Sequence, residues 1–173
     1  TSGTSYAAPH GSGAIALLLE KNPNLTPHEI KSILVTTSDV ITDQYKKEFE
    51  FDAGGAGRID LEKAFNSKLI FHPPKLIFNL SEHKTSEEYE IKLKSLDGII
   101  DIQKVEFLGI DNVEFNHEIK NSSLYITPKL IKNEFGNFET RAFITNDDII
   151  YQIPIIVRVS EASIIILETE NEL

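Results

Sequence analysis

The chain has 173 residues, 40% of them hydrophobic, with 27 acidic against 17 basic side chains and a formal net charge of −10. This balance argues against a nucleic-acid binder, which needs a basic footprint, while the apolar content permits a packed core. No apolar run reaches the roughly 18 residues of a membrane-spanning helix, and the absence of cysteine excludes disulfide frameworks, thiol catalysis and Cys-based zinc sites.

In chain order, Ala7, Ala8, Gly11, Ala14, Ile15, Leu18 and Leu19 recur at helical spacing. Ser12, Gly13, Ala16 and Leu17 make the other side small or apolar as well, and a helix apolar nearly all round is a buried one. It ends near Asn22–Pro23. A second helix begins at Thr26, an N-cap, with Pro27 in the first helical position and Glu29 completing a capping box. Ile30, Ile33 and Leu34 form its apolar stripe. Ala53 to Gly57 reads as a flexible turn, followed by a short helix from Asp60 to Phe65.

Beyond this point the composition changes. Residues 1–68 hold 7 of the 9 alanines, and residues 69–173 hold 19 of the 24 isoleucines. Alanine favours helices and isoleucine favours strands. Two domains are expected, 1–68 and 69–173, with Phe65–Pro74 as the connector because Pro73–Pro74 cannot sit inside a helix. Period-two alternation then predicts strands at Lys75–Phe78, Tyr89–Leu93, Lys104–Leu108, Val113–Phe115, Leu124–Thr127, Phe138–Ile144 and Ile153–Val159. About seven short strands imply an all-β antiparallel sandwich. Pro154 places its strand at an edge or a bulge. The acidic end, Glu168 to Glu172, reads as a solvated tail.

Chemistry is concentrated in residues 2–9, Ser-Gly-Thr-Ser-Tyr-Ala-Ala-Pro. Ser5 follows a Gly-Thr pair and opens a helix. Gly3 lets the backbone turn tightly and approach a ligand. A helix N-terminus offers unpaired N–H groups and the positive end of the dipole. A hydroxyl beside such donors has what is needed to attack a carbonyl and hold the resulting oxyanion.

These residues, GTSYAAPHGSG, resemble the active-serine signature of the subtilase family (subtilisin-like serine proteases, peptidase family S8), Gly-Thr-Ser-x-Ala-x-Pro. Ala14–Leu19 is similar to that family's buried core helix, Asn24–Leu34 to its next helix, and Gly55–Phe65 to its glycine-rich turn and closing helix. The resemblance implies an α/β catalytic domain represented only by its C-terminal helical segment, followed by an Ig- or fibronectin-III-like sandwich. It implies a serine endopeptidase acting on polypeptides, with Ser5 as nucleophile and the backbone of Gly3, Thr4 and Ser5 supporting the oxyanion. It also implies an extracellular or cell-surface location. In that family the triad aspartate, the histidine and the oxyanion asparagine precede the serine. Only four residues precede Ser5 and the chain holds no methionine, so this sequence reads as a piece that is inactive without an upstream catalytic segment.

His10 does not substitute: five residues along one helix put it about 140° around the axis from Ser5. His28 reads as an exposed first-turn residue, and His72, His83 and His117 show no metal spacing. No cofactor is expected. The resemblance brings calcium into question, but Asp147–Asp148 lacks an Asp-x-Asp-x-Asp-Gly loop and reads as a turn. Asn79-Leu80-Ser81 and Asn121-Ser122-Ser123 fit the glycosylation sequon. The Gly-x-Ser-x-Gly elbow of α/β-hydrolases fits less well, since Ala7 stands in its last position. A second function is a catalytically incomplete relative whose sandwich binds a partner. Residues 1–68 expressed alone are expected to aggregate or lack order, because an apolar helix is left uncovered; a sharp, cooperative melting transition of that segment would contradict this.

Overall fold

The computed structural model describes residues 3–161; the tail reading of Glu168–Glu172 lies outside them. Among the described residues four helices come first: α1 (Thr4–Lys21), α2 (Pro27–Thr36), α3 (Phe51–Gly54) and α4 (Leu61–Asn66). The Thr26 capping box forms as expected. Its hydroxyl accepts from Glu29 N–H at 3.3 Å, and the Glu29 carboxylate accepts from Thr26 N–H at 2.8 Å. Lys94, and then that backbone bond, hold the Glu29 carboxyl below its usual range. Asp60 caps α4 by accepting from Lys63 N–H.

The expectation that α1 is buried all round does not hold. Its buried residues are Ala14 and Leu18, while Tyr6 is 61% and Leu17 41% exposed. The reason is packing: Leu18 joins Leu25, Ile30, Ile33, Ala64 and Ile70 in a small cluster beneath the C-terminal half of α1, and Gly3 to His10 are all exposed.

Eight strands follow among the described residues: β1 (Leu69–His72), β2 (Leu76–Ser81), β3 (Tyr89–Ser95), β4 (Ile102–Phe107), β5 (Val113–Lys120), β6 (Ser123–Leu130), β7 (Gly136–Asn146) and β8 (Ile149–Ser160). One sheet has the order β1-β3-β6-β5, the other β2-β8-β7-β4. Their facing side chains share one core in which Phe71, Phe78, Ile91, Leu124, Tyr151 and Ile155 have no exposed surface. Each such side chain contributes about 1.5–3 kcal/mol by leaving water. The first sheet is antiparallel throughout. The second departs from the antiparallel expectation, because β2 runs parallel to β8, from Leu76 against Ile155 to Ser81 against Ser160.

Two further corrections concern strands. Residues 69–72, read as connector, form β1; four residues are too few for alternation to be visible in sequence. Pro154 lies in a central strand, not an edge strand. It is tolerated because the β2 ladder begins one residue later, at Ile155, so that β7 alone flanks β8 at Pro154, opposite Arg141. Two hairpin tips use left-handed backbone: Asn121 and Ser122 (φ 50° and 60°) between β5 and β6, and Asp147 (φ 52°) between β7 and β8.

The helices are tied to the sheets by polar groups in buried places. Ser32 of α2 donates to Phe71 C=O at 2.8 Å and accepts from Phe71 N–H at 3.0 Å. That pairing satisfies the outer edge of β1, an edge strand. The Tyr151 hydroxyl accepts from Lys68 N–H at 2.9 Å and Leu69 N–H at 3.2 Å, fixing the entry into β1. Segment 38–58 crosses the outer face of β7 and β8. Asp39 and Arg58 exchange two backbone bonds of 2.8 Å there. Gly57 is required at this crossing, since a Cβ on it would lie 2.0 Å from the Asp39 carbonyl oxygen. Lys63 at 2.6 Å and Arg58 at 3.0 Å hold the Asp39 carboxyl below its usual range.

Beneath that crossing sits Arg141, 1% exposed. Its Nε donates to Glu48 at 3.1 Å, its Nη1 donates to Ala56 C=O at 3.0 Å and to the Gln152 side-chain oxygen, and the Phe51 ring lies 4.7 Å from the guanidinium. Gln152 in turn donates to Ser38 C=O at 2.6 Å. Replacing Arg141 by Ala strands these acceptors and should cost about 3–5 kcal/mol in urea unfolding. A loss below about 1 kcal/mol would mean that solvent already satisfies them.

Candidate active site

Gly3, Thr4 and Ser5 stand at the N-terminus of α1. Gly3 is the N-cap, in extended backbone (φ 162°, ψ 146°). Any residue adopts that conformation, and a Cβ on Gly3 would make ordinary contact with Tyr6 at 3.6 Å. The turn itself therefore does not demand glycine. What glycine supplies is an unobstructed backbone at an exposed position.

The Gly3 carbonyl accepts from Tyr6 N–H at 3.0 Å and from Ala7 N–H at 3.4 Å. The N–H groups of Thr4 and Ser5 precede the first intrahelical bond and have no acceptor within the helix. No acidic residue sits in the first turn, so the positive end of the 18-residue dipole is not neutralised there. Ser5 is exposed beside these donors. Pro9 lies inside α1, and because it has no N–H, the Ser5 carbonyl loses its usual partner four residues on. The first turn is thus held more loosely than the rest of the helix. The other end is anchored, with Lys21 donating to Phe65 C=O and its ammonium 4.4 Å from the centre of the Phe65 ring.

His10 is exposed and its Nδ1–H donates to Tyr6 C=O at 2.7 Å, which occupies it within its own helix. His28 lies in the first turn of α2, His72 ends β1, His83 sits in the β2–β3 turn, and His117 packs near Phe107 at 5.9 Å. Among the described residues no imidazole or carboxylate is hydrogen-bonded to Ser5, and no group of His, Asp and Glu has the arrangement of a metal site. The carboxylates held below their usual range are elsewhere: Glu29 and Asp39 in ion pairs, Glu90 against the Ser123 and Tyr125 hydroxyls, and Asp97 against Ser95. Asp147, in the turn that had raised calcium, instead pairs with Lys68 at 2.6 Å. Asn79 is exposed on β2 and Asn121 is exposed at its hairpin tip. The arrangement at Ser5 offers an exposed hydroxyl beside N–H groups with no intrahelical acceptor, and among the described residues no base is hydrogen-bonded to it.

Sequence reasoning passed over Arg141 and Gln152. A signal existed: β8 is apolar on both faces (Ile149-Ile-Tyr-Gln-Ile-Pro-Ile-Ile-Val157), which marks a strand covered on both sides. A polar residue inside such a run needs a buried partner.

Comparison with known proteins places this Gly-Thr-Ser turn and the helices after it beside one family. A model of the subtilase family matches residues 1–65. Subtilisin-like protease SBT1.2 of Arabidopsis thaliana is 42% identical over 77 residues, covering 41% of this chain and 10% of that protein. Subtilisin-like protease SBT2.5 of the same plant is 32% identical over 155 residues, covering 80% of this chain and 17% of that protein, so the similarity extends well past α4. Subtilisin-like protease SBT3 of Solanum lycopersicum is 31% identical over 105 residues, covering 54% and 14%. Through these residues the chain is similar to members of the subtilase family. It spans 10% to 17% of the length of these relatives. Among solved structures, the titin Ig tandem domains A164-A165 align with a TM-score of 0.39 and 8% identity, over 56% of this chain and 51% of that one. The endo-fucoidan hydrolase MfFcnA9 aligns at 0.43 and 8%, over 78% and 25%.

Because no base reaches Ser5 among the described residues, the 173-residue chain by itself should show no peptide hydrolysis above background. Turnover of a fluorogenic peptide by the pure chain, abolished in Ser5→Ala, would contradict this.

Proposed function

We propose that this chain carries the nucleophile-bearing end of a subtilisin-like serine endopeptidase. In this reading residues 1–68 are the C-terminal segment of an α/β catalytic domain. Residues 69–173 are an accessory β-sandwich of the Ig or fibronectin-III type. Ser5 is the nucleophile, and the N–H groups at the Gly3-Thr4-Ser5 turn supply oxyanion donors. The observation that carries the reading is the exposed Ser5 hydroxyl in the first turn of α1, beside N–H groups with no intrahelical acceptor. The match of residues 1–65 to the subtilase family model supports it.

The chemistry follows the serine-protease scheme. Ser5 Oγ attacks the scissile carbonyl carbon as a histidine takes its proton. The carbonyl oxygen becomes an oxyanion facing the N–H groups of the first turn. The C–N bond then breaks, the amine leaves with the proton from histidine, and an ester on Ser5 remains for water to hydrolyse. The histidine, the aspartate that orients it and the oxyanion asparagine come from a segment N-terminal to Thr1, as in the family's order. That segment also covers the exposed apolar side of α1, around Tyr6, Ile15 and Leu17. The substrates are polypeptides, and the setting is extracellular or at the cell surface, in keeping with the family.

The test is labelling of the natural polypeptide that contains this chain with a fluorophosphonate probe, beside its Ser5→Ala variant. Labelling of the parent and loss of at least about 100-fold in the variant are expected, since an unassisted serine is a weak nucleophile. A folded parent that is not labelled overturns the nucleophile role and shifts the function to the sandwich as a binding module.

A further inference from the structure

A pocket of about 560 Å³ opens between α2, the Pro73–Pro74 turn and the paired strands β2 and β8. This volume falls within the roughly 300–1,000 Å³ typical of small-molecule sites. It shares no residue with α1 and does not depend on the nucleophile reading. Its walls are apolar, built chiefly from Val35, Phe51, Leu76, Tyr89, Pro154 and Ile156.

The walls are fixed in advance. The Phe51 ring packs on the buried Arg141 guanidinium, and its N–H donates to Glu139 at 2.7 Å. Tyr89 meets Phe78 edge-on, with ring centres 5.6 Å apart. Pro73, Pro74 and Pro154 have restricted backbones. A preformed wall lowers the ordering cost of binding.

The charges at the pocket are of one sign. Lys31 of α2 and Lys75, just after the two prolines, line it, and among the described residues no carboxylate does. Neither ammonium has an ion-pair partner among the described residues, although acidic side chains outnumber basic ones in the chain. Other lysines around the helix–sheet junction are paired, Lys63 with Asp39, Lys68 with Asp147 and Lys94 with Glu29. Two uncompensated cations at an apolar cavity complement a ligand with an apolar body and one negative head. A neutral ligand leaves the cations unused, and a cationic one is repelled.

We propose that this pocket binds a small amphiphilic carboxylate, its apolar body against Tyr89, Phe51 and Ile156 and its carboxylate facing Lys31 and Lys75. The probe is decanoate, titrated into the 173-residue chain below its aggregation concentration, with decanol and decyltrimethylammonium as controls. Binding is followed by calorimetry and by amide chemical shifts. One saturable decanoate site is expected, with shifts centred on Val35, Leu76 and Ile156. Decanol should bind several-fold more weakly. Binding should weaken roughly tenfold or more in Lys31→Glu/Lys75→Glu and with added salt. Both lysines are exposed and have no ion pair among the described residues, so the double variant should keep the parent melting temperature, which is measured alongside. Absence of saturable binding, shifts centred elsewhere, or equal affinity for decanol or by the folded double variant would each overturn the proposal.

Discussion

A guanidinium with almost no exposed surface is the constraint on which the architecture turns. Removing a cation from water costs several kcal/mol unless its donors are met, and Arg141 is met by two separate stretches that converge on it. Glu48 and the Ala56 carbonyl come from the segment between α2 and α4, and Gln152 comes from the neighbouring strand. Gln152 passes the connection on to Ser38. The consequence is that segment 38–58, which has little regular structure of its own, is held across the outer face of β7 and β8. Without that cover, both faces of β8 would not be dry, and its apolar run would be exposed on one side.

The same junction distributes order along the helical segment. α2 is fastened to β1 by Ser32, and the entry into β1 is fastened to β8 by Tyr151. α1 joins this body through Ala14, Leu18, Leu19 and the Lys21–Phe65 contact, all toward its far end. Its first two turns carry the candidate nucleophile on an exposed, proline-weakened stretch of helix. The serine therefore stands on a helix anchored at one end and left open at the other, an arrangement in keeping with the role proposed for it. The apolar pocket between α2 and the β2–β8 pair arises from the same docking, since its walls come from both parts.

Much of this was legible locally. The capping box at Thr26, the cap at Asp60 and the positions of most strands follow from short-range chemistry, in which side chain and backbone a few residues apart decide the outcome. The Gly-Thr-Ser turn was legible for the same reason. β1 was not, because four residues contain too little alternation to separate strand from connector. The burial of α1 was misjudged because an apolar surface states a preference for cover and cannot say which cover is present. The position of Pro154 was misjudged because a strand's rank in a sheet depends on a partner far away in sequence.

By itself, the sequence determined where helices give way to strands, which helix ends are capped, and that a serine with subtilase surroundings opens the first helix. Those properties rest on residues within about one turn of each other. Tertiary structure alone decided that β2 runs parallel to β8, that Arg141 and Gln152 are buried under segment 38–58, and that Lys31 and Lys75 meet at one apolar cavity. Each of these joins residues 40 or more positions apart, or sheet edges with several admissible partners. Such pairings are selected by the packing of the whole core rather than by any local signal.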